Sequence, residues 1–144
     1  MAVTNYPLKD EAATLALGAK LAKRLKSGDC VALRGDLGAG KTSLVRGLIH
    51  NALGAVDVPS PTYTLVQTYD LPDYELWHCD FYRLDRPEDA YELGLIDAMD
   101  DAVCLIEWPD RLGALLPDTA LEIDIIFDGD SRIAKLTGWE DRNV

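Results

Sequence analysis

The segment spanning residues 35–42, GDLGAGKT, constrains the fold more than any other part of this sequence. It fits the phosphate-binding loop pattern G-x-x-x-x-G-K-[ST] without a mismatch. In this pattern glycines let backbone amides turn toward phosphate oxygens, the lysine supplies a positive charge, and the threonine hydroxyl is a Mg²⁺ ligand. The helix that follows directs its positive N-terminus at the same anion. The segment therefore predicts a phosphate-binding loop.

The flanking segments have the pattern that this loop requires. Residues 30–33 form a short apolar run, as expected of a buried parallel strand. Apolar residues recur at helical spacing over 44–53, and Gly54 is a typical helix end. A glycine-rich turn without a ligand is the competing interpretation, and the order strand, loop, helix disfavours it. The residues expected to contact a nucleotide here are Asp36, Leu37, Gly38, Ala39, Gly40, Lys41, Thr42 and Ser43.

Length and composition indicate one α/β domain covering residues 1–144, with 48% hydrophobic residues. No apolar run approaches a membrane span and no signal segment is recognisable, so we expect a cytoplasmic protein. The formal charge of −11 argues against binding nucleic acid directly, so any RNA contact would be made by a partner. A basic group on the first predicted helix is either a solvated face or a docking surface; it comprises Lys20, Lys23, Arg24 and Lys26.

Three cysteines, Cys30, Cys79 and Cys104, lie in apolar strand-like runs. The sequence has no C-x-x-C pair, and the number of cysteines is odd. We expect three small core residues rather than zinc ligands or disulfide partners.

The order of apolar runs and turn signals predicts the remaining elements. A first helix runs to about residue 26, and a hairpin of strands 63–69 and 75–80 makes the sheet mixed. A short helix ends near residue 93 at Gly94, and a buried strand covers 103–107. A short helical turn over 109–113 precedes a hairpin of 121–127 and 132–137 around Asp128-Gly129-Asp130. Trp139 begins a loose tail or packs back on the sheet.

Two acidic residues close apolar strands and are candidate Mg²⁺ ligands. Asp80 ends one predicted strand and Glu107 ends another, at the rim where open α/β sheets bind ligands. We expect one carboxylate to bind the ion and the other to orient it or a water molecule, and the sequence leaves the assignment open. His78 alternates with Asp80 and shares its face of the strand, but on its own it is interpreted as a structural histidine.

Two further residues have both a functional and an ordinary interpretation. Thr62 follows Ser60-Pro61 and is either a contact to the metal or terminal phosphate, or part of a rigid turn. Trp108 is a stacking or docking aromatic, or ordinary packing.

Four motifs occurring together identify a family that this sequence resembles. They are residues 35–42, SPTYT from Ser60, HCDFYRL from His78 and IEWP from Ile106. Over about residues 10–136 the chain resembles the bacterial TsaE family, also called YjeE. These are small P-loop ATPases of tRNA threonylcarbamoyladenosine synthesis.

The resemblance implies a P-loop NTPase-like three-layer α/β fold with a mixed, mostly parallel sheet and antiparallel hairpins. It implies ATP and Mg²⁺ as cofactors, Lys41, Asp80 and Glu107 as catalytic residues, and Thr42, Asp80 and Glu107 as metal ligands. Trp108 and Thr62 would adjoin the nucleotide. The adenine would lie between Lys9 and Asp10 on one side and Ser131 and Arg132 on the other. TsaD and TsaB are the implied partners, and tRNA is reached only through their complex.

Other functional classes share the phosphate-binding loop. A small-molecule kinase has a lid and an acceptor pocket, and no long lid insertion follows Asp80. A GTPase has an Asn-Lys-x-Asp signature, which this sequence lacks. A binding module that holds a nucleotide without turning it over stays open, because no residue is an obvious activator of water.

Overall fold

A computed structural model of the chain describes residues 3–36, 40–59, 61 and 64–139. The strands are β1 (Val3–Leu8), β2 (Cys30–Arg34), β3 (Val66–Asp70), β4 (Glu75–Asp80), β5 (Val103–Glu107), β6 (Leu121–Asp128) and β7 (Ser131–Thr137). The helices are α1 (Glu11–Ala22), α2 (Lys41–Leu53), α3 (Asp89–Glu92) and α4 (Leu95–Asp101), and a 3₁₀ segment covers Pro109–Leu115.

These described residues form one seven-stranded mixed sheet in the order β1-β7-β6-β2-β5-β4-β3. The four middle strands, β6, β2, β5 and β4, pair in parallel. The outer pairs are antiparallel, namely β1 with β7, β6 with β7, and β3 with β4. The predicted mixed sheet is confirmed, with its parallel pairing confined to the middle.

Side chains alternate across the middle strands and so build two apolar layers. Val31 and Val103 face the layer that contains α1 and α2. Cys30 and Cys104 face the opposite layer, where α3, α4 and the 3₁₀ segment pack. The three-layer architecture follows from this alternation, and strands covered on both faces explain the nearly continuous apolar runs in the sequence. All three cysteines are buried free thiols, as expected.

Helices α1 and α2 meet at two glycines that allow very close backbone contact. A Cβ at Gly18 would overlap the Leu44 carbonyl oxygen and lie 2.9 Å from the Leu48 amide nitrogen. A Cβ at Gly47 would overlap the Leu15 carbonyl oxygen. The contact fixes α2, and with it the residues of its first turn, against the sheet.

Glycines also set both ends of α2. Gly40 is the N-cap, with a left-handed φ of 108°, and Gly54 is the C-cap, with φ 78° and its amide bonded to the His50 carbonyl. Within the described residues no side chain caps the first turn, which leaves its amide groups for another acceptor. The predicted strand before the glycine-rich motif and the predicted helix after it are confirmed.

One strand was not predicted, and two predicted boundaries were wrong. Strand β1 was not predicted; its backbone pairs with β7, although its side chains are mostly exposed. Helix α1 ends at Ala22 rather than near residue 26, because the Lys26 amide donates to the Asp29 carboxylate and the Gly28 amide to the Ala102 carbonyl. Strand β3 begins at Val66, directly after Leu65 with its φ of 69°.

A helix that was not predicted, α4, follows Gly94, which is its N-cap at a φ of 79°. Trp139 packs back, and its indole Nε1 donates to the Thr119 carbonyl oxygen at 2.9 Å. Of the helices that the structure describes, none is long and apolar enough to cross a membrane.

Candidate functional site

The carboxyl ends of three parallel strands bring the predicted acidic residues to the glycine-rich motif. Asp80 and Glu107 are register partners at the ends of β4 and β5, so their side chains lie on the same face of the sheet. Leu33 of β2 is in register with Glu107, and the chain enters the motif at Gly35 two residues later. Ligands of open α/β sheets bind at this edge.

Lys41, the first residue of α2, is a buried cation in this edge region. Its side chain is buried and the residue is only 5% exposed. The ammonium Nζ donates to the Gly35 carbonyl oxygen at 2.7 Å and lies 4.0 Å from the centre of the Trp108 ring. The ammonium group thus has a carbonyl and an aromatic face as its partners.

Burial lowers the pKa of Lys41, and the charges of Glu107, Asp80 and Asp36 act in the opposite direction. Desolvation disfavours the ammonium, whereas nearby carboxylates favour it. The three acids therefore lie within electrostatic range of Lys41, which places one cation among three anions at the end of the sheet.

Each strand-end carboxylate has its own hydrogen-bond partner. The His78 Nε2 lies 2.6 Å from Glu107 Oε2, and both side chains are buried. The backbone amide of Tyr82 donates to Asp80 Oδ1 at 3.0 Å. Both contacts restrict the side-chain torsions of the carboxylates. The sequence placed His78 on the face of Asp80 but did not predict its contact with Glu107, which lies on a neighbouring strand.

Trp108 leaves β5 in a left-handed conformation, with φ 56° and ψ 52°. Its ring lies 4.9 Å from the Tyr82 ring, centre to centre, and covers the Lys41 ammonium. Its buried indole Nε1 has no hydrogen-bond partner among the described residues. A non-glycine residue in this conformation is uncommon and is found where the surroundings hold it in place.

Arg34 ties the segment after Trp108 to the end of β2. Its guanidinium contacts Glu122 Oε1 at 2.6 Å and Asp110 Oδ1 at 3.0 Å. Sequence reasoning missed Arg34 because its two partners are distant in the chain. The feature of the sequence that could have pointed to Arg34 is its position as a cation directly before the glycine-rich motif.

A separate cavity of about 240 Å³ opens beside the first turn of α2. Residues from the α1 start, the α2 start and the β6–β7 hairpin line it, including Lys9, Asp10, Gly40, Ser43, Ser131 and Arg132. The pairing of Leu8 with Arg132 across β1 and β7 brings the two outer segments together. Asp10 also caps α1, since its Oδ1 accepts from the Ala13 amide at 2.9 Å.

Most of the predicted site residues converge in two adjoining places. Lys41, Asp80, Glu107 and Trp108 meet at the strand ends, and Asp36 is exposed nearby. Thr42 and Ser43 follow Lys41 in the first turn of α2. The remaining predicted contacts, Leu37, Gly38, Ala39 and Thr62, lie outside the described residues.

The oxygen donors of this region have the chemistry that Mg²⁺ prefers. Asp80 and Glu107 supply adjacent carboxylates, and Thr42 supplies a hydroxyl on the neighbouring helix turn. In the part of the chain that the structure describes, no group of three or more His, Cys, Asp or Glu side chains could hold a metal ion. A magnesium ion would therefore need further oxygen ligands, such as Thr42, phosphate oxygens and water.

Fold and site together define an α/β protein that carries a phosphate-binding-loop motif at the carboxyl edge of its parallel strands. The family model described as threonylcarbamoyl adenosine biosynthesis protein TsaE matches residues 8–134. This chain belongs to the TsaE family.

Individual relatives agree with this assignment. The chain is 39% identical over 132 residues to the tRNA threonylcarbamoyladenosine biosynthesis protein TsaE of Rickettsia bellii, covering 90% of this chain and 92% of the relative. It is 37% identical over 140 residues to the protein of the same name from Haemophilus influenzae, covering 93% and 88%. The crystal structure of Bacillus subtilis YdiB superposes with a TM-score of 0.82 at 29% identity, covering 98% of this chain and 88% of YdiB.

Proposed function

We propose that this chain binds ATP with Mg²⁺ and hydrolyses it as the TsaE subunit of tRNA threonylcarbamoyladenosine synthesis. The observation that carries the proposal is the convergence of Lys41, Asp80 and Glu107 at the N-terminus of α2. One cation for phosphate and two carboxylates for a divalent ion are the side chains that polyphosphate chemistry requires. Membership of the TsaE family supports the biological setting.

The two adjoining parts of the site suit the two ends of a nucleotide. Residues 35–42 and the uncapped first turn of α2 would hold the phosphates, with Lys41 on the outer ones. The cavity lined by Lys9, Asp10, Ser131 and Arg132 adjoins Gly40 and would take the adenine. The Arg132 guanidinium already lies 4.3 Å from the Phe127 ring centre, so it supplies a flat surface at this cavity.

Thr42, Asp80 and Glu107 would hold Mg²⁺, whose role is to neutralise charge that develops on the phosphates. The protein's own contribution is to fix the orientation of both carboxylates through His78 and the Tyr82 amide. Lys41 would exchange its contact with the Gly35 carbonyl for one with phosphate oxygens. Hydrolysis by the chain alone should be slow, because no described residue is an obvious activator of water.

We further propose that TsaD and TsaB are the protein partners and that tRNA is reached only through them, in the cytoplasm. The net charge of −11 supports an indirect role toward RNA, since phosphate backbones attract clustered cations. Lys20, the only one of the four predicted basic-group residues that lies within α1, contacts the Tyr6 hydroxyl at 3.0 Å, so its side chain is already engaged within the fold.

The decisive experiment measures ATP hydrolysis by the purified chain alone, with TsaB and TsaD, and with both proteins plus tRNA. We expect low activity alone and at least about 10-fold stimulation by the partners, as partner-supplied groups give in other NTPases. Filter binding should show no retention of tRNA by the chain alone at physiological salt.

The control is Lys41→Ala, which should abolish the stimulated activity. Tight ATP binding with no stimulation would support a nucleotide-binding module instead. Salt-dependent tRNA retention by the isolated chain would contradict the indirect role.

A further inference from the structure

His78 is fully buried at the centre of β4 and is not a member of the proposed catalytic set. Its Nε2 lies 2.6 Å from Glu107 Oε2, and Glu107 is itself 3% exposed. Nδ1 of the same ring is buried and has no partner among the described residues. The ring therefore makes its polar contact on the side that faces the proposed nucleotide site.

The contact fixes the tautomer of His78. A carboxylate is an acceptor only, so Nε2 must carry the proton in a contact of this length. The bond occupies one of the two carboxylate oxygens and leaves the remaining acceptor positions of Glu107 for another ligand. A histidine that orients a ligating carboxylate in this way is a common device of metal sites.

Glu107 has a competing partner that makes orientation necessary. The Lys41 ammonium is close enough for Glu107 to be the largest of the charges that raise its pKa. A free glutamate side chain has three rotatable bonds, and Coulomb attraction in a buried site would draw it toward the cation. His78 opposes that motion because its ring is held within the packed sheet.

We propose that His78 is the positioning residue for Glu107: it holds the carboxylate in the orientation that receives Mg²⁺ and keeps it from pairing with Lys41. The inference rests on the proposed function, since it names what makes Glu107 a competent ligand. Asp80, which has the Tyr82 amide as its donor, does not depend on His78.

The first test needs no nucleotide. Nitrogen-15 NMR of the imidazole groups, at neutral pH and without magnesium, should show His78 with its proton on Nε2 and that proton shifted downfield by a short hydrogen bond. Glu107→Gln should move this signal. His50 is the matched internal reference, because its Nε2 lies 2.9 Å from the Val56 backbone carbonyl oxygen, away from the site. A His78 ring with Nε2 unprotonated would overturn the proposal.

The second test measures binding of the non-hydrolysable ATP analogue AMPPNP with and without Mg²⁺. His78→Phe removes the donor but keeps a flat ring, and His78→Gln keeps a donor near the Nε2 position. We expect His78→Phe to reduce the Mg²⁺-dependent gain in affinity by about 10- to 100-fold, the range found for residues that orient metal ligands. His78→Gln should retain most of the gain, and His50→Gln should match the wild type.

A double-variant comparison separates positioning from a merely structural role. In a Glu107→Gln background, His78→Phe should cause no further loss of the Mg²⁺-dependent gain, because its effect passes through Glu107. Equal losses with and without Mg²⁺, or losses that add in the double variant, would overturn the proposal. If His78→Phe does not fold, the wild-type NMR signal of His78 and its response to Glu107→Gln test the proposal.

The outcomes distinguish this inference from the proposed function. A wild-type chain that binds AMPPNP equally with and without Mg²⁺ would overturn the proposed metal site, and this inference with it. A wild type with a clear Mg²⁺ dependence beside an unaffected His78→Phe would overturn this inference alone.

Discussion

Lys41 is a buried ammonium group whose present partners are a backbone carbonyl and an indole ring. Burial lowers its pKa, so keeping the group charged at neutral pH opposes folding. We expect Lys41→Met to reduce ATP affinity about 10- to 100-fold, the value of a hydrogen bond to a charged group. The unfolding free energy should stay the same or rise, because an apolar chain of similar length avoids the desolvation cost.

Calorimetric titration with ATP and urea unfolding of the ligand-free chain check the two halves of this prediction. Arg46→Met is the control: Arg46 lies on the same helix and pairs with Glu11 at 3.5 Å on the surface. Unchanged ATP affinity in Lys41→Met would contradict the phosphate role. A clearly lower unfolding free energy would mean that the ammonium contacts stabilise the fold.

At the scale of residues, the sequence predicted which side chains lie at the strand ends better than it predicted what those side chains contact. The loop motif and the strand-end acids follow from local patterns, because glycine conformations and apolar runs are properties of neighbouring residues. The contacts of His78 with Glu107, of Trp108 with Lys41, and of Arg34 with Asp110 join segments far apart in the chain. Such contacts depend on strand order and register, which local patterns do not encode.

Among the elements, the α1–α2 contact depends most sharply on single atoms. Gly47→Ala should lower the unfolding free energy by about 2 kcal/mol or more, because the added methyl group overlaps the Leu15 backbone, which cannot rotate away. Thermal unfolding should show the change as a fall of about 5 °C or more. ATP affinity should fall as well, since α2 carries Lys41 and Thr42.

Asn51→Ala is the matched control, an alanine substitution on the exposed side of the same helix. Alanine has the higher helix propensity, so this variant should be as stable as the wild type or more so. A Gly47→Ala chain with unchanged stability would show that the helices can separate without loss.

Buried apolar strands were the most predictable elements, and exposed edge elements were the least predictable. Strands β2 and β5 were recognised because both of their faces are buried. Strand β1 was missed because its side chains are mostly exposed and only its backbone, paired with β7, makes it a strand. Helix α4 was missed because it starts at a glycine, which a sequence pattern interprets as an end.

For the whole molecule, buried thiols predict a loss of stability at high pH. Burial raises the pKa of Cys30 and of Cys104 from 9.0 to about 12, and that of Cys79 well above 9.0. The unfolded chain loses these protons at lower pH than the folded chain. The thiol contribution to the free energy of unfolding is therefore constant below pH 9 and should fall by about 1.4 kcal/mol per pH unit per thiol between pH 9 and 12.

Urea unfolding at pH 8, 9.5 and 10.5 would measure this slope. Cys30→Ala and Cys104→Ala should each reduce the slope of unfolding free energy against pH by the contribution of one thiol. Burial also raises the pKa of Tyr74 to about 12, and this residue contributes equally in every variant. An unchanged slope in both alanine variants would contradict the assignment to thiols. In the folded chain at pH 8 the three cysteines should resist alkylation.

The partners of Lys41 determine how much affinity the loop lysine can supply. Under the proposed function, a polyphosphate would reach the ammonium only as the Gly35 carbonyl and the Trp108 ring give it up, so binding would be an exchange of partners rather than an addition. The net gain in affinity would be the difference in free energy between the phosphate contacts of Lys41 and the contacts that they replace. It would be smaller than the gain from an ammonium group that had no partners before binding. Under the proposed function, this exchange would ease the release of spent nucleotide, because the lysine would return to the Gly35 carbonyl and the Trp108 ring as the phosphate departs.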